Sequence, residues 1–171
     1  GGGLVGSVIA RDLQKEFFVS IADVSIERLK FLRDKFSLNG IEADLSNATT
    51  IKKVVKDFDL VIMNAAVSDY RVKNKSQVKI KKSDDEISLD LVKNPDILQE
   101  ISKNKTKNQV IVGFAAETIE NDAQFEKIAK LKLNQKGCDV IFANKVKKNQ
   151  AMDSLNNEFL MITHENTQKL S

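Results

Sequence analysis

Short apolar runs alternate with amphipathic stretches along most of the chain, an order typical of a parallel sheet flanked by helices. Apolar runs typical of strands cover residues 17–22, 41–45, 59–63, 110–114, 140–143 and 159–163. Apolar positions three and four apart predict helices over residues 5–15, 25–36, 47–58, 95–102 and 122–136. The pattern predicts a single α/β domain over residues 1–171, with a three-layer, Rossmann-like parallel sheet and helices on both faces.

Two stretches depart from this order. Val78, Ile80, Ile87, Leu89 and Leu91 alternate with polar residues on either side of a Ser-Asp-Asp-Glu run. Alternation about a polar turn is typical of a β-hairpin, so we expect a projecting arm over residues 78–91. At the other departure, residues 166–171 predict the beginning of a helix.

The chain opens on a glycine-rich loop. Gly1, Gly3 and Gly6 fit the pattern G-x-G-x-x-G, and Asp23 ends the next predicted strand. This loop normally follows a strand, so we expect the first strand of the sheet upstream of Gly1. One interpretation is dinucleotide binding, with Asp23 on a ribose; the other is a tight strand-to-helix turn, with Asp23 capping the next helix. Residues 1–60 resemble the Rossmann units of saccharopine-dehydrogenase-like oxidoreductases.

Composition narrows the classes of function. The 27 basic and 24 acidic side chains leave a net charge of only +3, which gives no strong case for nucleic acid or a membrane surface, although local lysine clusters could still meet phosphates. One cysteine, Cys138, and one histidine, His164, argue against an internal disulfide and against the usual zinc ligand sets. We therefore expect a cytoplasmic protein with no nucleic-acid or membrane partner.

The first candidate binding residues follow the apolar run at 59–63. Met63, Asn64 and Ala65 lie where that strand ends, the edge at which open α/β sheets bind ligands. Asp69 could orient a sugar, a base or a magnesium-bound phosphate, or simply belong to a turn. Lys79 and Lys81 share one face of an alternating strand, where they could meet a polyanion or merely blunt an exposed strand edge.

The remaining candidates lie further along the chain. Asn94 is a predicted helix cap and Asp96 a partner of the helix dipole. Phe114 ends a buried strand, where a core position is the simplest interpretation. Lys132 and Lys136 are four residues apart, so they share one helix face and could hold a phosphate between them. Glu117 could be an acid–base group or a helix-start acid.

Five segments resemble, in order, the synthetase half of the bacterial phosphopantothenoylcysteine decarboxylase/synthetase proteins. The resemblance is clear from about residue 59 onward and rests on residues 64–71, 79–82, 92–98, 112–118 and 132–139. It implies a nucleotide site formed by the following residues: Met63, Asn64, Ala65, Asp69, Lys79, Pro95, Asp96, Ile97, Leu98, Phe114, Lys132 and Lys136.

The resemblance also implies a reaction. The carboxylate of 4′-phosphopantothenate attacks the α-phosphate of CTP, and the amine of cysteine then displaces CMP from the acyl-cytidylate. The implied cofactors are CTP as co-substrate and Mg²⁺; the implied partners are the two substrates, a second copy in a homodimer and a fused or separate flavin-dependent decarboxylase.

This chain departs from the family pattern before residue 60. The family carries there an arginine and an asparagine that handles the acyl-cytidylate, and no residue here matches either. Three functions therefore stay open: a phosphopantothenate–cysteine ligase, an NAD(P)-binding oxidoreductase domain, and a nucleotide-binding fragment without catalysis.

Overall fold

A computed structural model describes residues 1–44, 46–65, 67–76, 78, 87–146 and 159–170. Its helices are α1 Leu4–Leu13, α2 Ile26–Phe36, α3 Ala48–Val55, α4 Ile97–Lys103 and α5 Asp122–Lys136. Its strands are β1 Ser20–Asp23, β2 Asn39–Glu42, β3 Leu60–Met63, β4 Tyr70–Val72, β5 Leu91–Lys93, β6 Val110–Glu117, β7 Val140–Lys145, β8 Phe159–Thr163 and β9 Thr167–Leu170.

The strands form one five-stranded sheet and two pairs. The order in the large sheet is β3-β6-β7-β8-β9, with β3, β6 and β7 parallel and β8 and β9 antiparallel. The pair β1-β2 is parallel and packs against α1 and α2, whereas α4 and α5 pack on β6. The predicted Rossmann-like α/β fold with helices on both faces is confirmed, with an antiparallel extension at one edge.

Polar side-chain caps fix where α2, α3 and α5 begin. The side chains of Ser25, Asn47 and Asn121 accept backbone N–H groups in the first turns of α2, α3 and α5. Gly137 ends α5 in the left-handed region, at φ 64°, which glycine adopts without strain. These local signals explain why the predicted helix over residues 122–136 has the bounds observed for α5.

Two predictions about helix ends are wrong. Asp96, not Asn94, caps α4, because its Oδ1 accepts the Gln99 N–H at 3.1 Å. Residues 167–170 form β9 rather than a helix, because their backbone pairs with β8 through the register Phe159 to Leu170. A four-residue polar segment has little preference of its own, so its sheet neighbour decides.

The predicted arm over residues 78–91 lies mostly outside the described residues, including its turn and Lys79. What the structure describes is the antiparallel pair of β4 and β5, in which Tyr70 lies opposite Lys93 and Val72 opposite Leu91. The Lys73 N–H continues the pairing by donating to Asp90 O at 2.9 Å. Among the described residues, β5 pairs with a segment earlier than the predicted strand at Val78.

Two hydrophobic clusters hold the two parts of the fold. Around β6 and β7 the cluster includes Ile111, Ile141 and Ile162, each 1% exposed or less. Under β1 and β2 a smaller cluster is formed by Ala10, Ile21, Leu29, Leu32 and Leu38. No helix in the described ranges is long and apolar enough to cross a membrane.

Candidate functional site

The end of β3 lies beside the middle of β6. Met63 pairs in register with Gly113, so Asn64 and Ala65 emerge next to Phe114. Phe114 is 37% exposed and stacks on Phe142 with ring centroids 5.6 Å apart. The simplest interpretation of Phe114, as a core residue, is therefore wrong, and its ring offers an exposed apolar surface for a planar ligand.

Asn94 joins the Asp69 turn to the segment that leads into α4. Its backbone N–H donates to Asp69 O at 2.7 Å, and its Nδ2 donates to Ser68 O at 2.7 Å. Arg71 Nη1 in turn donates to Asn94 Oδ1 at 2.9 Å. These bonds hold the turn against the residue before Pro95, although the two segments are 25 residues apart in the chain.

Asp96 has two partners. Besides capping α4 through Oδ1, it accepts Lys136 Nζ on Oδ2 at 2.5 Å. Gln99 Nε2 donates to Gln135 O at 2.8 Å, so the first turn of α4 is fastened to the last turn of α5. The pair is partly shielded, with side chains 31% and 29% exposed.

Glu117 forms an ion pair with Lys132. Glu117 ends β6 and is 16% exposed, and Lys132 approaches it from α5. Neither of the two roles considered for Glu117 from the sequence anticipated this contact. The lysine pair predicted to share a phosphate is thus held, without ligand, by two carboxylates from two other segments.

Leu98 lies over the sheet beside these groups. A Cβ built on Gly113 would lie 2.6 Å from Leu98 Cδ2, closer than side chains tolerate. Glycine at 113 therefore lets α4 approach β6 closely, while Ile97 is buried at 4% exposure. This contact sets the position of the α4 N-terminus relative to the strand ends.

The glycine loop contacts Asn64, which directly follows β3. Gly2 N–H donates to Asp23 Oδ2 at 2.6 Å, and the Gly1 amino group donates to Asn64 Oδ1 at 3.5 Å. A Cβ on Gly6 would lie 2.0 Å from Gly1 O, so only glycine fits there. A cavity of about 510 Å³ is lined by Gly1, Gly3, Gly6, Asp23 and Asn64, among others.

The carboxylate of Asp23 is engaged by backbone on both oxygens. Oδ1 accepts the Ser25 N–H at 2.9 Å and Oδ2 accepts the Gly2 N–H. Burial raises its pKa, but these hydrogen bonds outweigh burial and leave the pKa below its usual range. Asp23 therefore holds the loop as an ionised acceptor, in line with the turn interpretation of the glycine motif.

The predicted site residues come together in part. Met63 and Phe114 meet through β3 and β6, Asp69 meets the segment before Pro95, and Asp96 meets Lys136. Lys79 lies outside the described residues. The cavity at the glycine loop shares Asn64 and Ala65 with the predicted set, but its lining does not include Phe114, Lys132 or Lys136.

Comparison with known proteins settles the family. The model of the DFP family, described as the DNA/pantothenate metabolism flavoprotein C-terminal domain, matches residues 32–171. The chain belongs to this family. Among curated relatives, the DFP-family protein named coenzyme A biosynthesis bifunctional protein CoaBC in Haemophilus influenzae is 40% identical over 134 residues, or 78% of this chain and 32% of that protein. The Bacillus subtilis CoaBC is 38% identical over 128 residues, 75% of this chain and 30% of its own length.

The chain thus spans about a third of the length of these two curated relatives. The predicted resemblance to the synthetase half is confirmed, and the family match reaches further upstream than the motifs, to residue 32.

Solved structures show the same fold. The DNA/pantothenate metabolism flavoprotein from Streptococcus pneumoniae has a TM-score of 0.69 at 18% identity, covering 96% of this chain and 79% of that one. The C-terminal domain of a CoaBC protein has a TM-score of 0.62 at 22% identity, covering 97% and 71%. A histidine mutant of Cab2 in complex with phosphopantothenate-cysteine has a TM-score of 0.61 at 16% identity, covering 96% and 69%. These shares of the chain are too large to exclude residues 1–31 as a whole, so most of that stretch shares the fold.

No spacing pattern in the chain indicates the two carboxylate partners of the lysines. Glu117 and Lys132 are separated by 15 residues and Asp96 and Lys136 by 40, so no helical spacing links them. Asn94 was assigned to a cap, whereas its side chain holds the Asp69 turn. Residues that act across elements are visible only after folding.

Proposed function

We propose that this chain carries the nucleotide-binding part of a CTP-dependent phosphopantothenate–cysteine ligase of coenzyme A biosynthesis. The carboxylate of 4′-phosphopantothenate attacks the α-phosphate of CTP and releases pyrophosphate. The amine of cysteine then attacks the acyl-cytidylate and releases CMP. Family membership supports this proposal, and the names of the CoaBC relatives agree with it.

One observation carries the proposal most directly. Lys132 and Lys136, which share one face of α5, each meet a carboxylate from a different predicted nucleotide-binding segment. The pairs join α5 to the end of β6 and to the beginning of α4. A bound triphosphate is an anion, as the carboxylates of Glu117 and Asp96 are, so it can exchange with them on the lysines.

The other proposed contacts follow from position. Asn64 and Ala65 leave β3 at its carboxyl end, where small side chains let a ligand approach the backbone. The Asp69 turn is held by Asn94, so its carboxylate has a fixed backbone from which to orient a sugar or base. Such chemistry depends on positioning and charge neutralisation more than on a protein nucleophile.

Magnesium fits this arrangement as an ion carried on phosphate oxygens. Among the described residues no group of three His, Cys, Asp or Glu side chains could hold a metal. Mg²⁺ commonly takes one or two carboxylates with substrate phosphates, and Asp69, Asp96 and Glu117 are single carboxylates of that kind. Bound there, the ion would offset part of the triphosphate charge.

We extend the proposal to the partners. The protein acts as a homodimer. It works with a flavin-dependent decarboxylase, which is either fused to it or a separate protein. The word "bifunctional" in the names of the CoaBC relatives supports a fused second activity.

A second candidate function rests on the glycine loop. Its cavity of about 510 Å³ lies at a helix N-terminus, as a dinucleotide site requires. Against it, both oxygens of Asp23 already accept backbone N–H groups, so a ribose would compete with the loop itself.

Thermal stability with added nucleotide separates the two candidates. We expect saturable stabilisation of the chain by CTP with Mg²⁺ and none by NAD⁺ or NADP⁺. Stabilisation by NAD⁺ alone would reject the ligase proposal in favour of the dinucleotide site. Pyrophosphate release that depends on phosphopantothenate, with cysteine present, then distinguishes a ligase from a binder.

Lys79 has its own test. We expect Lys79→Gln to weaken CTP binding, because the variant loses an ammonium group that the family resemblance assigns to the nucleotide site. Lys75→Gln, an exposed lysine four residues earlier, is the matched control and should leave affinity within about twofold of the unaltered chain. Equal affinities of the two variants would remove Lys79 from the proposed site.

A further inference from the structure

Asn94 bonds to the turn before β4 through both its backbone and its side chain. Its backbone N–H donates to Asp69 O, and its Nδ2 donates to Ser68 O, each at 2.7 Å. The backbone bond continues the antiparallel pairing of β4 with β5. Pro95, the next residue, has no N–H to donate, so the side chain of Asn94 carries the contact on to Ser68.

Arg71 decides which way the amide of Asn94 points. Its Nη1 donates to Asn94 Oδ1 at 2.9 Å and to Lys93 O at 3.3 Å. A guanidinium only donates and a backbone carbonyl only accepts, so the amide oxygen faces Arg71 and the amide nitrogen faces Ser68 O. Both groups of the amide are therefore used, and an apolar side chain of the same size would lose both bonds.

Two residues later the same segment is fastened to α5. Asp96 caps α4 through Oδ1 and pairs with Lys136 through Oδ2. Between the two contacts lies Pro95, whose ring fixes φ near about −65°. Asp96 itself is extended, at φ −80° and ψ 97°. Residues 94–96 therefore form a stiff link from the Asp69 turn to the ammonium group of Lys136.

The two ends of this link carry different parts of the proposed nucleotide site. Asp69 is proposed to orient the sugar or the base, whereas Lys136 is proposed to meet the triphosphate. A nucleoside triphosphate contacts both ends at once, so its affinity depends on how firmly their separation is set in advance. Inorganic tripolyphosphate contacts the lysine end alone, so its affinity does not depend on that separation.

We propose that Asn94 is a positioning residue, which sets the Asp69 carboxylate at a fixed distance from Lys136 and so favours a whole nucleotide over free polyphosphate. It acts through its amide bond to Ser68 O and need not touch the nucleotide. Without that bond the turn would sample several positions, and the nucleotide would have to order it on binding. This inference rests on the proposed function, because it needs the nucleotide at this site.

Titration of two variants with two ligands tests this role. Asn94→Ala removes both side-chain contacts, and Asn94→Leu removes them while keeping the size of the side chain. Asn104→Ala is the matched control, because Asn104 Nδ2 also donates to a backbone carbonyl at 2.7 Å, that of Glu100, at the far end of α4. Each chain is titrated calorimetrically with CTP and with tripolyphosphate, both in the presence of Mg²⁺.

We expect both Asn94 variants to weaken CTP binding by about fivefold or more and to change tripolyphosphate binding by less than about twofold. Asn104→Ala should leave both affinities within about twofold of the unaltered chain. A merely structural role would move both ligands together. Equal losses for CTP and tripolyphosphate would therefore overturn the proposal, as would an unchanged CTP affinity in the Asn94 variants.

A measurement without nucleotide follows the turn itself. The residue 94 amide donates to Asp69 O, so its protection from hydrogen exchange should fall about fivefold or more in both Asn94 variants and stay unchanged in Asn104→Ala. Unchanged protection would show that the side chain does not hold the turn, which overturns the proposal whatever the affinities are. Absence of CTP binding to the unaltered chain would instead reject the proposed function, and with it the inference that rests on it.

Discussion

The two halves of the fold are built from similar sequence patterns but differ in how their strands pair and how many residues they bury. In the C-terminal half β6 is paired on both sides, by β3 and β7, and its cluster joins thirteen buried residues of the described part of the chain. In the N-terminal half β1 is paired on one side among the described strands, and its cluster joins five described residues. Alternating strands and helices therefore do not by themselves ensure a continuous core, because the described residues form two separate clusters.

Truncation of one buried residue in each half should separate their stabilities. Ile141→Ala removes a side chain 1% exposed in the large cluster and should cost about 2–5 kcal/mol of unfolding free energy. Leu32→Ala, 2% exposed, should abolish amide protection in β1 and β2 but leave that of β6 and β7 nearly unchanged. Native-state hydrogen exchange measures both. Equal loss of protection in β6 from Leu32→Ala would mean that the halves unfold as one unit.

The close approach of α4 to β6 gives the next largest effect. Gly113→Ala places a Cβ 2.6 Å from Leu98 Cδ2 and should cost about 1–3 kcal/mol through overpacking. Denaturant unfolding of Gly113→Ala, Leu98→Ala and the double variant measures the coupling. The alanine at 113 should cost almost nothing once Leu98 is truncated; a cost that persists would place the strain elsewhere.

Ion pairs should likewise differ between the halves. Asp139 accepts the Ile111 N–H at 2.8 Å on one oxygen and pairs with Lys105 on the other. Asp12 pairs with Lys15 on the exposed surface of α1, with side chains 73% and 70% exposed. We expect Asp139→Asn to cost about 1–2 kcal/mol in denaturant unfolding at pH 7, and Asp12→Asn to leave the free energy of unfolding nearly unchanged.

Low pH should remove the difference in unfolding free energy between Asp139→Asn and the unaltered chain. Burial raises the pKa of Asp139, but the bonds from Lys105 and Ile111 outweigh burial and leave the pKa below its ordinary value of 3.8. A depressed folded-state pKa contributes stability above the unfolded pKa that is lost as the pH falls through the folded pKa. The difference between Asp139→Asn and the unaltered chain should therefore shrink below about pH 4. A constant difference down to pH 2 would contradict the assignment.

The alkylation rate of Cys138 measures opening of the C-terminal half, and it is the smallest change that we expect. The cysteine is fully buried, and burial raises the pKa of its thiol to about 11. At pH 8 the native chain should resist alkylation by iodoacetamide. Leu32→Ala should leave the alkylation rate nearly unchanged, because only the N-terminal half opens. Ile141→Ala should accelerate it clearly. Rapid alkylation of the unaltered chain would place Cys138 at the surface.

Local signals account for what the sequence predicted well. The bounds of α5 follow from Asn121 at its beginning and Gly137 at its end, both readable in the chain. The α/β architecture follows from the apolar runs. By contrast, β9 is a strand only because β8 lies beside it, and no local preference of residues 167–170 reveals that.

The candidate site was predictable in its segments but not in its contacts. Asn94 and Asp96 are both good helix caps, and only the bonds of Asn94 to the Ser68–Asp69 turn leave the cap to Asp96. The ion pair of Lys132 with Glu117 joins a helix to a strand end, so no spacing rule finds it. The family motifs predict which residues form the nucleotide site, and the fold shows which contacts hold Asp96, Lys132 and Lys136 without a ligand.

The central claim is that Lys132 and Lys136 of α5 form the proposed polyphosphate site. Isothermal titration with CTP and Mg²⁺ tests it by comparing Lys132→Gln with Lys130→Gln, which removes the 2.6 Å pair with Glu126 on the same helix. We expect Lys132→Gln to weaken affinity by about tenfold or more, since hydrogen bonds to charged groups contribute roughly 1.5–3 kcal/mol. Lys130→Gln should stay within about twofold, as exposed pairs contribute little. Equal affinities for both variants and the unaltered chain would contradict the account.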